Sequence, residues 1–322
     1  MYEQYETEWY KDMPSLPSPL VGRNDVRMSA SQSQLGGEKT ALGVAVFGDA
    51  SMVWWKISWN VDGRGEVRRD GRYRPIPTPW DGEQLYAASE MYGPTLVEFA
   101  EEAVEGRRAI GRGECWDLAN DGIDYARSRV GEKPFPSIGR THGMIMFYAR
   151  AGGKGLGKWS GADEYVRPGD IVEWRNVKIR EVGMPNGAYA ILGDPDVGLS
   201  LRSLPFAAVH AGIAECAGTR QVNEFGPRLM QFVFQHTAII VEAASPSSLP
   251  SPDTPYPISS LVSLTVVEQS LGQAPRRAEY ALDAMSEGEI WIYRPAGLLE
   301  MLGCEIEPVW PSSQVAYSID QI

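Results

Sequence analysis

GRGECWDLA, from Gly111 to Ala119, places one of the chain's three cysteines behind two glycines at the start of a helical pattern. Cys115, Leu118, Ala119, Gly122, Ile123 and Ala126 recur at helical spacing, so the sulfur falls on the stripe that faces an interior. The start of a helix leaves amide N–H groups without intrahelical partners and carries the positive end of the dipole. Both features favour a thiolate, and one such amide can steady an oxyanion. Free cysteine is also among the most buried residue types, so a small apolar core residue fits the same pattern. The segment alone leaves both readings open.

Two downstream stretches bear on the choice. VRPGDIVEW, Val166 to Trp174, reads as a turn at Pro168 and Gly169 feeding a short strand. LMQFVFQHTAIIVEA is an apolar strand interrupted by His236, with Phe232, Phe234, His236, Ala238 and Ile240 on one face. An imidazole there is either a satisfied core residue or a base. LVSLTVVEQS is a further strand whose alternate positions Val262, Leu264, Val266, Glu268 and Ser270 lie together. An acid or amide at its end can bond the far imidazole nitrogen and fix the tautomer. Cysteine at a helix start, histidine on a strand and a polar residue on the next strand is the chain order of a papain-like thiol site.

GECWDLA, RPGDIVEW, QHTAIIVE, VVEQS and GEIWIYRP, in this order, resemble the cysteine-proteinase-fold domain at the C-terminus of fungal cortical actin-patch proteins that bind type I myosin. That domain is related to the NlpC/P60 and CHAP thiol peptidases and amidases. The resemblance covers about Leu85 to Pro295. It implies an α+β fold of papain-like, NlpC/P60 type, with the nucleophile helix packed on an antiparallel sheet. It also puts Cys115 at the nucleophile position, His236 at the base position and Glu268 at the orienting position. Gln269, Ser270 and Trp116 are supporting candidates, and Ser270 stands where the related sites commonly have asparagine. The implied chemistry is hydrolysis or acyl transfer at an amide, isopeptide or thioester bond, with a protein or peptide as substrate and without a cofactor or metal. The alternative is an inactive papain-like fold used as a protein-interaction module linked to the cortical actin cytoskeleton. The actin-patch proteins also carry an SH3 domain and proline-rich linkers, which this sequence lacks, so a stand-alone version of the C-terminal domain is expected.

Composition narrows the partners. Thirty basic against 42 acidic residues give a net charge of −12, which repels a phosphate backbone or an anionic membrane surface, so no nucleic-acid partner is expected. The N-terminus MYEQYETEWYKDMPSLPSPL is acidic and aromatic where a secretory signal is basic and then apolar. No later apolar run reaches the length of a membrane span, so no membrane insertion is expected. Three widely spaced cysteines make neither a disulfide framework nor a metal site and suit a reducing, cytoplasmic setting.

Residues 1–40 mix acid, proline, serine and glycine without a hydrophobic period and read as an unordered tail. Residues 41–310 read as one domain with an N-terminal β extension, and 311–322 as a C-terminal tail. ALGVAVFGDASMVWWKISWNV reads as a hairpin around Gly48, Asp49 and Ala50, its tryptophans Trp54, Trp55 and Trp59 being packing residues rather than a ligand platform. A helix from Glu83 to Tyr92 is expected to break at Gly93 and Pro94 and resume from Thr95 to Val104. An insertion at about 175–228, far longer than a usual connection, holds His210 and Cys216, read as packing residues. His142 reads as a loop or turn histidine, and Cys304 has no motif around it. GGKGLGKW, Gly152 to Trp159, partly matches a phosphate loop but reads as a glycine-rich turn, because Trp159 stands where magnesium needs a hydroxyl.

Overall fold

The computed structural model describes residues 9–11, 20, 22–185, 189–192, 235–243, 255–261, 263–313 and 315–318. In chain order come β1 (Val26–Leu35), β2 (Glu38–Phe47), β3 (Met52–Asn60), β4 (Arg68–Arg74), α1 (Gly82–Gly106), α2 (Cys115–Arg129), β5 (Met144–Arg150), β6 (Leu156–Trp159) and β7 (Ile171–Glu181). Then follow β8 (Ala190–Leu192), β9 (Gln235–Ala243), β10 (Tyr256–Pro257), β11 (Ser263–Glu268), β12 (Arg276–Ala281), β13 (Glu287–Arg294), α3 (Leu298–Leu302) and β14 (Tyr317–Ser318). The fold is α+β, and no described helix is long and apolar enough to cross a membrane.

Two antiparallel sheets share one core. The first runs β1-β2-β3-β4-β14, and the second runs β10-β6-β5-β13-β7-β12-β11-β9. Val44, Val46, Met52 and Trp54 of the first sheet join Leu118, Ile123, Ile239 and Val266 around the second in a single buried cluster. At about 25 cal/mol per Å² of apolar surface, each such side chain contributes roughly 1.5–3 kcal/mol.

The second sheet closes on itself. β7 pairs with β9 through its first half and with β12 at its far end, while β11 joins β12 to β9. A bulge makes this possible: Asn176 stands at φ 50, and β13 shifts register opposite it between Glu287 and Glu289. The extra residue bends β7 and passes it from one neighbour to the other. Residues directly paired in a ladder share a face, so Trp174 and His236 point together, as do Glu268 and Ala238.

α2 buries Leu118, Ala119, Gly122, Ile123 and Ala126, the stripe expected from spacing. Gly122 permits the close approach, since a methyl there would lie 3.1 Å from Leu96 and Phe99 and 3.2 Å from Ile239. α1 is continuous where a break at Gly93 and Pro94 was expected. Those two residues answer a tertiary contact instead. A Cβ on Gly93 would meet the Pro168 oxygen at 2.6 Å, and one on Gly169 would meet the Gly93 Cα at 2.3 Å, so the helix rests directly on the Arg167 to Asp170 turn. Packing there outweighs the missing Pro94 N–H.

Several boundaries differ from the sequence reading. Residues 26–35, read as tail, form β1 and pair along their whole length with β2, because the partner's hairpin supplies the pattern that the polar sequence lacks. Residues 317–318, also read as tail, pair with β4. Residues 175–181, assigned to the insertion, continue β7, and Ala190–Leu192 pairs back on it. His210, Cys216, Phe232, Phe234 and Val262 lie outside the described residues. The hairpin around Gly48 to Ala50 forms as read, and the glycine-rich stretch at 152–159 is a turn followed by β6 rather than by a helix.

Candidate thiol site

Both glycines of the opening segment are needed. Gly111 (φ +57) and Gly113 (φ +87) occupy the left-handed region, and a Cβ on Gly111 would lie 2.8 Å from that of Asp117. Asp117, buried in the first turn of α2, accepts from the Arg112 amide at 2.6 Å and the Arg112 side chain at 2.9 Å. Gln269 holds the loop from the other side. Its side-chain oxygen accepts from the Ile110 amide at 2.7 Å, and its nitrogen donates to the oxygens of Ile110 at 3.1 Å and Glu114 at 3.0 Å. The backbone entering Cys115 is thus pinned by two buried polar side chains.

Cys115 is partly exposed at the first position of α2, and its side chain is hydrogen-bonded to the imidazole of His236. The imidazole Nε2 also meets Glu268 Oε2 at 2.7 Å. Glu268 also accepts from the Tyr280 hydroxyl at 2.9 Å and pairs with Arg276 at 2.6 Å, while Arg276 reaches Glu181 at 2.5 and 3.0 Å. Trp174 lies edge-on to Tyr280, 5.5 Å between centroids.

Burial alone would depress the imidazole's basicity, but the bonds to Cys115 and Glu268 outweigh it and raise the His236 pKa to about 10. Burial likewise opposes ionisation of Glu268, yet the bond to His236 and the charges of His236 and Arg276 hold its pKa below the usual carboxylate value. The arrangement is a charged imidazolium beside a sulfur, steadied by a carboxylate with its own counter-ion.

The three residues put forward as catalytic are therefore brought together. Ser270 is exposed and outside the cluster, so its place in the motif carries no contact with the imidazole. Trp116 donates from Nε1 to the Gly139 oxygen at 2.7 Å, tying α2 to the loop before β5. Sequence reasoning missed Tyr280, Arg276 and Glu181. The alternation of Arg276, Ala278 and Tyr280 on β12 was the available signal, since it places a cation and a hydroxyl on the face shared with Glu268.

A second buried polar network uses the opposite parity of β7 and β9. His142, read as a turn residue, is fully buried, with Nδ1 2.9 Å from Ser137 Oγ and Nε2 2.9 Å from Glu173 Oε1. Thr237, the neighbour of His236, donates to the same Glu173 oxygen. Further along, Arg294 is buried against Asp170 (2.9 Å) and Asp163, which fixes the turn before β7. Cys304 is half-buried beside Met52, and burial raises its pKa. Among the described residues no group of three or more His, Cys, Asp or Glu side chains could hold a metal ion.

The AIM3/BBC1 cysteine proteinase-fold domain matches residues 70–198 and 219–305, more than half of the chain and all three site residues. The chain belongs to this family. Altered inheritance of mitochondria protein 3 from Debaryomyces hansenii is 23% identical over 155 residues, covering 46% of this chain and 16% of that protein. No solved structure matches. The AIM3/BBC1 family model skips residues 199–218, which fall inside the expected insertion.

Proposed function

We propose that this AIM3/BBC1-type domain is a thiol-dependent acyl-transfer enzyme acting on an amide, isopeptide or thioester carbonyl of a protein or peptide in the cytoplasm. The observation that carries the reading is the His236 imidazole, bonded both to the Cys115 sulfur and to Glu268 at 2.7 Å. The Cys115 thiolate attacks the carbonyl carbon, forming a C–S bond and a tetrahedral oxyanion near the N-terminal end of α2. His236 gives its proton to the departing amine or thiol as the intermediate collapses to a thioester. Water or an amine then attacks that thioester, passes its proton to His236 and releases the sulfur. Glu268 orients the imidazolium and, once the proton has left, keeps the neutral ring in the required tautomer.

The test is alkylation by iodoacetamide, followed by mass spectrometry. Cys115 should react faster than a free model thiol at neutral pH, and Cys115→Ala should remove the labelled site with little loss of stability. Reaction at or below the model rate ends the proposal.

A second reading, a binding module without turnover, draws support from Gln269. All of its hydrogen bonds go to backbone, so it offers no side-chain donor to an oxyanion. Partner capture retained by Cys115→Ala, with no labelling of the wild type by an activity-based probe, favours this reading.

A further inference from the structure

The first sheet has two apolar faces, and only one belongs to the main core. Its other face carries a separate cluster of Ala41, Ile57 and Trp59, with Trp55 and Val67 beside them. By register Trp55 pairs with Gly43, Ile57 with Ala41 and Trp59 with Lys39, while Arg69 pairs with Ile57 from β4. The backbone leaves room for the tryptophan to lie flat: a Cβ on Gly43 would lie 2.1 Å from the Trp55 ring. The result is an aromatic platform with Lys39 and Arg69 on the same face.

That platform has an occupant. Trp9–Lys11 forms a single turn over it. The Trp9 ring meets Trp55 edge-on at 6.2 Å, and the Tyr10 ring meets Trp59 at 4.9 Å. Gln32 Nε2 donates to the Tyr10 oxygen at 3.3 Å, and Tyr10 is 3% exposed. The turn adds no strand to the sheet. Its ring contacts and the Gln32 hydrogen bond involve no ladder hydrogen bond of β1–β4, so the ladder does not depend on them. The described turn reads Trp9, Tyr10, Lys11, so its two rings make its attachment to the platform.

We propose that the outer face of the β1–β4 sheet is a docking site for a short peptide segment carrying adjacent aromatic residues, and that its resident occupant is the chain's own segment around Trp9 and Tyr10. Paired aromatic rings with a polar rim are a common basis for recognising a linear segment, and a tethered segment holds such a site at high effective concentration. The proposal is independent of the thiol chemistry.

The experiment is fluorescence anisotropy with a labelled peptide of residues 3–13, EQYETEWYKDM. The Trp9→Ala/Tyr10→Ala protein should bind it in the micromolar range, and wild type should bind at least about tenfold more weakly because the tethered copy competes. Adding Gly43→Ala to the double variant should abolish binding, since the methyl evicts Trp55. Absence of binding to a folded double variant, or equal binding to both proteins, overturns the proposal. A wild-type dimer that the double variant loses, seen by light scattering, also overturns it by assigning the platform to a second copy. Should the double variant not fold, a protease site placed among residues 13–19 serves instead. The cut segment should stay bound at high protein concentration and leave on dilution, and departure at every concentration refutes the assignment.

Discussion

Replacing Glu268 by glutamine changes one charge and almost no volume. The carboxylate is buried, bonded to His236 Nε2 at 2.7 Å and to Tyr280 at 2.9 Å, and paired with Arg276. The substituted amide could still accept from the imidazole, but only as a neutral group. A hydrogen bond to a charged partner contributes about 1.5–3 kcal/mol and a neutral one about 0.5–1.5, so the imidazolium loses about 1–1.5 kcal/mol. That corresponds to about one pKa unit. Arg276 keeps its two bonds to Glu181, so the fold is spared an orphaned cation. With only three histidines in the chain, the imidazole resonances separate by NMR, and His236 is assigned by its loss in His236→Gln. Wild-type His236 should titrate near 10, and Glu268→Gln about one unit lower. The sign also fixes a stability window. Because the folded value lies above the unfolded value of about 6.5, the contribution of His236 is fully present below that pH and is lost as pH rises through about 10. Thermal melts of wild type should fall across that range, and those of His236→Gln should lack this component. Identical His236 titrations in wild type and a folded Glu268→Gln would refute the reasoning.

Three further outcomes follow from other contacts. Arg294→Met leaves the buried Asp170 without its counter-ion, while Asp163 keeps Arg167, and should cost about 3–5 kcal/mol in urea unfolding, with Cys115 still alkylated in the fraction that remains folded. Gln269→Leu removes three bonds to the loop before Cys115 and should cost about 1–3 kcal/mol while slowing alkylation. Gln269→Glu, which cannot donate to the two carbonyls, should restore neither property. Gly143→Ala forces a methyl within 2.1 Å of the Arg294 oxygen at φ +126, so melts should show a loss beyond the about 1–3 kcal/mol of backbone strain alone.

The residues of the candidate site stood out in the sequence because their signals are local. A cysteine behind turn glycines, a histidine within an apolar strand and an acid at a strand end each stand out against their own neighbours. What escaped depends on partners distant in the chain. Arg276 and Glu181 are 95 residues apart and meet only because β7 changes neighbour at the Asn176 bulge, which leaves no mark in the hydrophobic pattern. The Gly93-Pro94 pair looked like a helix stop because local propensity ignores the turn at Pro168 and Gly169 resting on it. β1 looked like tail because an edge strand of serines and glutamines takes its order from β2 rather than from burial of its own side chains.

Glu268 and Gln269 are consecutive residues with different charges to keep: one holds the histidine, the other the loop that delivers the cysteine. A shift of that strand end is therefore a common-mode error. It carries the sulfur and the imidazole by the same vector and leaves the gap between them nearly unchanged, so thermal breathing of the sheet need not detune the pair.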